Sequence, residues 1–148
     1  EEQRSTMWER REAAAEISLL KTPLINNDIA VPLDKVSKFL TVMEKKLPEL
    51  DPDADVLIVS HLGDGNVHYT VWPSKDDEKH KDKIMEAIET VVLTLGGSFS
   101  AEHGIGLSKL SSMERRKDRV SLDVMRQIKN AIDPEDIMNP GKVLPKVH

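Results

Sequence analysis

Two histidines flank a glycine-rich turn in the segment from His61 to His68, which reads His-Leu-Gly-Asp-Gly-Asn-Val-His. If Asp64-Gly65 is the two-residue loop of a β-hairpin, His61 and His68 are directly opposed. Opposed side chains of an antiparallel pair have Cβ atoms about 4.5–5.5 Å apart, a distance from which two imidazoles can reach one ion. The glycines on either side of Asp64 also allow a four-residue loop. A hydrogen-bonded histidine pair without a metal is the alternative interpretation.

A second polar group follows at Glu102. Alternation in a predicted strand over residues 98–102 places Glu102 on the same side as the two serines of that strand. If this strand neighbours the hairpin, Glu102 completes a metal-ligand set with His61 and His68. Two imidazoles and one carboxylate suit zinc, with manganese or iron(II) as alternatives, and three protein ligands leave coordination positions open.

The composition limits the classes of function. The chain has 148 residues, enough for one domain with a core, a formal charge of -5 and no cysteine. Disulfides and thiolate metal sites are therefore excluded. The acidic balance argues against a nucleic-acid partner, because phosphate contacts need clustered lysine and arginine. No apolar run approaches the roughly 18 residues of a membrane span, and no signal-peptide pattern is present.

The hydrophobic periodicity predicts an α+β domain. We expect helices over residues 1 to about 20, from Pro32 to a stop at Pro48, over about 75–95 and over about 121–132. We expect strands over residues 24–31, interrupted at Asn26-Asn27-Asp28, and over 56–62, 66–72 and 98–102. In chain order these elements run helix, strand, helix, strand, strand, helix, strand, helix. This order contains a split βαβ unit with an antiparallel sheet. Alternation places Leu57, Val59, His61, His68 and Thr70 on one face, which we predict to be the functional one.

Three separate motifs follow one another along the chain. They are His61 to His68, Ser100-Ala101-Glu102-His103-Gly104-Ile105-Gly106 with Lys109, and Asp133-Pro134 through Asn139-Pro140-Gly141-Lys142. Together they resemble the C-terminal domain of FAD-linked 2-hydroxy-acid oxidoreductases, which include D-lactate dehydrogenases, D-2-hydroxyglutarate dehydrogenases and the flavin subunit of glycolate oxidase. The resemblance covers the chain from about Trp8. It implies a ferredoxin-like antiparallel sheet with helices on one face, plus C-terminal helices.

In that family an N-terminal domain binds FAD and the C-terminal domain forms the substrate-side cap. The resemblance therefore implies that residues 1–148 are the cap of a longer enzyme. No Gly-x-Gly-x-x-Gly loop followed by an acidic residue is present, so we expect FAD to be held mainly by the missing domain and the fragment alone to be inactive. The expected partners are that FAD domain and a small 2-hydroxy acid, while homo-oligomerisation and membrane association stay open. The expected location is the cytoplasm, including the periphery of the inner membrane, or the mitochondrion in a eukaryote.

The resemblance also implies oxidation of a D-2-hydroxy acid to the 2-oxo acid. The carboxylate and hydroxyl of the substrate would chelate the metal, the hydroxyl pKa would fall, and the α-hydrogen would pass as hydride to the flavin. His103 matches the family position that takes the hydroxyl proton, a task suited to an imidazole. A third nitrogen ligand or a turn residue are the alternatives for His103.

Four more residues are candidate contacts for substrate or cofactor. Arg11, in Trp8-Glu9-Arg10-Arg11, resembles an arginine that contacts the substrate carboxylate, with a surface arginine as the alternative. Asn26 stands where members that act on dicarboxylic hydroxy acids carry a lysine, and the missing cation favours D-lactate or another monocarboxylate over 2-hydroxyglutarate. We expect Thr70 to bind substrate from the functional face. Asn139 resembles a position near the flavin ring, and is otherwise a turn residue.

Two other classes of function compete with this one. In a non-catalytic binding or assembly module, the histidine pair and Glu102 would hold a structural ion or none, and a fourth protein ligand such as His103 would favour that role. A metallohydrolase would need a water-activating carboxylate beside the metal. Asp64 is the nearby candidate, and the turn explains it better.

Overall fold

The computed structural model describes residues 1–18 and 20–146. They form two compact units, residues 1–102 and residues 103–148. The first unit contains α1 (Glu2–Ser18), β1 (Ile25–Ala30), a 3₁₀ turn (Leu33–Lys35), α2 (Val36–Leu50), β2 (Asp55–His61), β3 (Asn66–Trp72) and α3 (Glu78–Thr94). The second contains α4 (Leu110–Arg116), which the periodicity did not predict, and α5 (Arg119–Ile132). The α+β class is confirmed.

The first unit is built on a three-stranded antiparallel sheet with the order β1-β3-β2. Helices α2 and α3 pack on one face of this sheet, as predicted. The fully buried side chains between the layers are Ile29, Val67 and Val71 from the strands, Phe39 and Met43 from α2, and Ile84, Ile88 and Val92 from α3. Strand alternation explains this set, because the residues of β1 and β3 in it all point to the helical side.

The hairpin between β2 and β3 has a four-residue loop, Leu62 to Gly65, which is the alternative that the two glycines allow and not the two-residue loop. His61 pairs with Asn66, and His68 pairs with Val59. The observed register differs from the expected one by two residues. Because side chains alternate with a period of two, His61 and His68 nevertheless share one face of the sheet.

Backbone conformation explains the longer loop. A two-residue type I′ turn needs positive φ at both central residues. Gly65 has φ +79°. Asp64 does not have a positive φ, since the described non-glycine residues that do are Asp136 and Asn139. Gly65 also lies against the end of β1, where its carbonyl accepts from the backbone N–H of Val31 at 3.1 Å. These constraints favour the four-residue loop.

The predicted strand over residues 98–102 is reduced to a single bridge between Ala30 and Ser98. Past Ser98, the backbone N–H of Ala101 donates to the Asp28 carbonyl at 3.2 Å. In a regular antiparallel ladder the donor would be the N–H of Ser100. The extra residue acts as a bulge and ends the ladder. The bridge still places this segment on the side of β1 away from β3, which is the position of the fourth strand in a ferredoxin-like sheet.

Two smaller differences concern β1 and α2. Strand β1 runs without a break through Asn26-Asn27-Asp28, because the Asn27 amide donates to the Tyr69 carbonyl at 3.1 Å and Asp28 is also hydrogen-bonded. Helix α2 continues past Pro48 to Leu50. Residue 19, at the end of the first predicted helix, lies outside the described residues.

The second unit begins at His103. The Asp118 side chain caps α5 by accepting from the backbone N–H of Ser121 at 2.9 Å. After α5 the chain folds around Asp133, whose carboxylate accepts from the backbone N–H groups of Ile137 and Met138. These contacts hold the start of the C-terminal segment that carries Asn139.

None of the helices in the described ranges combines the length and the apolar character needed to cross a membrane.

Candidate metal centre

His61, His68 and Glu102 lie within reach of one ion. Each offers a ligand atom, and the three atoms lie within 4.8 Å of one another. Oε1 of Glu102 is 3.8 Å from Nε2 of His61, and Oε2 is 3.9 Å from Nε2 of His68. Two ligands at about 2.0–2.1 Å from a tetrahedral zinc ion lie roughly 3.4 Å apart. A contraction of the cluster, in which the ligand atoms lie within 4.8 Å of one another, would bring all three groups to ligand distance.

Strands β2 and β3 position the two histidines as diagonal neighbours on one face of the sheet. Their ring centroids are 5.3 Å apart and their planes are inclined by 85°. Both rings are half-buried, whereas the Glu102 side chain is 48% exposed. The cluster thus has a fixed side, formed by the sheet, and an accessible side, formed by the carboxylate.

Glu102 reaches the histidines through the bulge after Ser98 and not through strand alternation. Its backbone N–H donates to Oδ2 of Asp28 at 2.8 Å, and the N–H of Ala101 donates to the same oxygen at 3.3 Å. The carboxylate of Asp28 therefore holds the backbone from which the Glu102 side chain extends.

The chemistry of the cluster fits a divalent ion. Imidazole nitrogen and carboxylate oxygen are the ligands that zinc commonly takes, and manganese and iron(II) accept the same set. Asn66, which pairs with His61 on this face, has a buried Oδ1 atom that lacks a hydrogen-bond partner within residues 1–18 and 20–146. A buried acceptor without a partner is uncommon, and a bound water molecule is one way to satisfy it.

Asn26 and Thr70 lie side by side on the same face. They are paired across β1 and β3, next to the pair formed by Asp28 and His68. Thr70 is buried and Asn26 is exposed. The structure therefore places these two predicted substrate contacts together, one step along the sheet from His68.

The remaining predicted site residues lie elsewhere in the chain. Arg11 belongs to α1, where its guanidinium carbon is 5.3 Å from the centroid of the Trp8 ring. His103 is the first residue of the second unit, and Asn139 lies in the C-terminal segment of that unit with φ +49°. Both side chains are exposed. The roles of these three residues stay predictions.

Asp28 and Asn66 are the two site residues that the sequence reasoning missed. The Asn66 amide donates to Oδ1 of Asp28 at 2.9 Å, and both residues are buried. Alternation could have placed Asp28 on the functional face, since it is two residues from Asn26. The hydrogen bond itself joins residues that are distant in sequence.

Residues 1–143 match the family model described as FAD linked oxidases, C-terminal domain. The chain belongs to this family. Membership confirms the resemblance that the three motifs indicate.

Curated relatives of this FAD-linked oxidase domain carry several names. The chain is similar to a D-2-hydroxyglutarate dehydrogenase of Stutzerimonas stutzeri, with 35% identity over 150 residues. It is also similar to a mitochondrial D-lactate dehydrogenase [cytochrome] of Arabidopsis thaliana, with 29% identity over 153 residues, and to glycolate oxidase subunit GlcD of Bacillus subtilis, with 31% over 142. The alignments cover 97%, 97% and 93% of this chain but only 32%, 26% and 29% of those relatives. The domain therefore spans a third or less of the length of each of these relatives.

Proposed function

We propose that this domain binds the substrate and a divalent metal ion in an FAD-dependent dehydrogenase that oxidises a D-2-hydroxy acid to the 2-oxo acid. The observation that carries the proposal is the convergence of His61, His68 and Glu102 on one sheet face. The relatives support the substrate class, because 2-hydroxyglutarate, lactate and glycolate are all 2-hydroxy acids. In this proposal residues 1–148 form the substrate-side cap, and another part of a longer protein binds FAD.

Each predicted site residue has a place in the proposal. His61, His68 and Glu102 hold the ion, for which zinc is favoured over manganese or iron(II). The bound ion would supply positive charge that makes the substrate hydroxyl more acidic. FAD would supply an acceptor for the hydride. His103 accepts the hydroxyl proton, and Arg11 binds the substrate carboxylate. Asn139 lies near the flavin ring.

Asn26 and Thr70 favour a substrate without a second charge. Both side chains are uncharged hydrogen-bonding groups, and they lie next to each other on the proposed site face. A distal carboxylate could accept hydrogen bonds from these groups, but it would find no positive charge in either of them to form an ion pair. We therefore propose D-lactate or another monocarboxylic acid as the substrate. D-2-hydroxyglutarate is the alternative substrate, because the relatives include a D-2-hydroxyglutarate dehydrogenase as well as a D-lactate dehydrogenase.

A substrate panel tests the activity and the preference. The intact protein, carrying its FAD, is mixed without oxygen with D-lactate, D-2-hydroxyglutarate or glycolate, and loss of flavin absorbance is followed. L-lactate is the stereochemical control, and the metal content of the same sample is measured. We expect rapid bleaching by D-lactate and one equivalent of metal. Faster bleaching by D-2-hydroxyglutarate would reverse the preference, and metal without bleaching by any acid would favour a non-catalytic module.

Histidine variants separate the metal from the base. His61→Ala and His68→Ala should lose metal and turnover while FAD stays bound, whereas His80→Gln, outside the cluster, should keep both. His103→Ala should keep the metal and reduce the flavin roughly 100-fold more slowly, the lower limit for loss of a general base. Normal metal content in the first two variants would disprove the metal site, and an unchanged reduction rate in the third would remove His103 as the base.

A further inference from the structure

We propose that Asp28 is a positioning residue that holds both His68 and Glu102 in the geometry needed for metal binding. This inference rests on the proposed metal site and adds a residue that does not itself bind the ion. Asp28 lies in the middle of β1, and its side chain is 1% exposed. A buried carboxylate is costly unless its oxygens are well paired, so its presence beside the cluster needs a reason.

The carboxylate of Asp28 connects three segments of the first unit. Oδ1 accepts from the Asn66 amide of β3 at 2.9 Å. Oδ2 accepts from the backbone N–H of Glu102 at 2.8 Å and from that of Ala101 at 3.3 Å. One side chain of β1 therefore fixes the start of β3 and the segment that carries the third ligand.

His68 lies between Asp28 and the candidate ion position. Its Nε2 faces Glu102 at 3.9 Å, while its Nδ1 lies 3.8 Å from Oδ1 of Asp28. Metal-binding histidines use one ring nitrogen for the ion and commonly direct the other N–H to a carboxylate, which fixes the tautomer and orients the ring. The observed separation is longer than a hydrogen bond. We expect it to shorten when the ring turns toward an ion.

Glu102 depends on Asp28 more directly. The ladder beside β1 ends after Ser98, so no continuous strand holds the backbone at Glu102. The hydrogen bond from its N–H to Asp28 supplies that restraint. Because the Glu102 side chain is exposed, loss of the backbone restraint would let the carboxylate move away from the histidines.

The test variant is Asp28→Asn in the intact protein. A carboxamide has one acceptor oxygen, so it can serve either the Asn66 amide or the Glu102 N–H, and its NH₂ group then faces a second donor. We expect zinc affinity, measured by competition with a chelator, to fall about 10-fold to 100-fold, the usual range for loss of a partner of a metal ligand. The visible spectrum of the cobalt(II)-substituted protein should also change, because it reports ligand geometry.

Asp51→Asn is the matched control. The Asp51 side chain is also 1% exposed, and it accepts from the backbone N–H of Ser74 at 2.8 Å and contacts His80 at 2.7 Å. This variant places the same amide in another buried carboxylate position, so it should leave zinc affinity and the cobalt spectrum unchanged. Equal weakening by both variants would show a general loss of stability and would overturn the positioning role.

Asn66→Ala is the second variant, and it decides the question if Asp28→Asn does not fold. It removes the donor to Oδ1 but leaves the carboxylate bound to Glu102, so we expect a smaller, several-fold loss of zinc affinity. Wild-type affinity in the folded variants would overturn the inference. If His61→Ala loses zinc while Asp28→Asn retains it, only the positioning role fails. If both His61→Ala and His68→Ala retain zinc, the proposed metal site itself fails.

Discussion

The two faces of the β1-β3-β2 sheet differ in what their side chains do. On one face, the odd-numbered residues of β3 from Val67 to Val71 are buried beneath α2 and α3. On the other, the even-numbered residues from Asn66 to Thr70 belong to the candidate site. One strand thus contributes to the apolar core and to a polar cluster in alternate positions. Substitutions on the core face should therefore lower stability without changing the metal affinity of the folded protein.

Each side of the sheet also has a buried carboxylate. Asp51 joins the end of α2 to the first turn of α3, where it is paired closely with His80. Asp28 lies on the opposite side, and its histidine faces Glu102 as well. On the helical side, Asp51 and His80 therefore form a close pair. On the site face, His68 lies near both Asp28 and a third group, the Glu102 carboxylate.

The largest expected effect is on the core face, for Phe39→Ala. Phe39 is fully buried, and its ring meets that of Tyr69 edge to face at a centroid distance of 5.5 Å. We expect a loss of about 3–5 kcal/mol in the free energy of unfolding, because truncation leaves a cavity. Urea denaturation measures this, and zinc affinity of the folded protein should be unchanged.

Asn26→Ala is the counterpart on the site face. Asn26 is exposed, so its removal should change stability by less than about 0.5 kcal/mol. A clear drop in zinc affinity for Phe39→Ala under conditions where it is fully folded would contradict the separation of the two faces.

The next effect concerns the loop that sets the histidine register. In Gly65→Ala the new methyl would lie 2.1 Å from the Val31 carbonyl oxygen, at a φ of +79°. We expect destabilisation on the order of 2–4 kcal/mol, from left-handed strain together with the steric conflict. Gly63→Ala is the control, since a methyl there meets nothing within 4 Å. Equal stability of the two variants in thermal or urea denaturation would refute this explanation of the loop.

Local patterns predicted most of the fold. Alternation identified both strands of the hairpin and the face on which His61 and His68 lie. The predicted face is correct although the register differs by two residues, because side chains alternate with a period of two. The loop length could not be predicted, because it depends on the contact between Gly65 and Val31, which lie far apart in sequence. Helix α4 was missed because it has only seven residues, too few for a clear period.

The candidate site was predictable only in part. Histidines across a hairpin and a nearby glutamate are visible as residue types. The means by which Glu102 is held is not, because its N–H bonds to the side chain of Asp28 instead of continuing a ladder. Contacts from a buried side chain to a distant backbone leave no periodic signal. For the same reason, Asp28 looked like part of a strand break.

The smallest expected effect is the acid sensitivity of the helical side. Burial alone would raise the pKa of Asp51, but hydrogen bonds from His80 and from the N–H and hydroxyl of Ser74 outweigh it and lower the pKa from 3.8 to about 2. A carboxyl with a lowered folded-state pKa stabilises the fold fully above its unfolded pKa of about 4 and loses that contribution as the pH falls toward about 2.

Asp51→Asn should therefore be less stable than the wild type at about pH 5, and the difference in the free energy of unfolding should shrink between about pH 4 and pH 2. Urea denaturation at a series of pH values measures it. Zinc affinity at neutral pH should stay at the wild-type value, because this carboxylate belongs to the helical side. A difference that stays constant down to pH 2 would show that Asp51 titrates normally in the folded protein. The close pairing with His80 would then have no energetic consequence, and the contrast between the two carboxylates would rest on position alone.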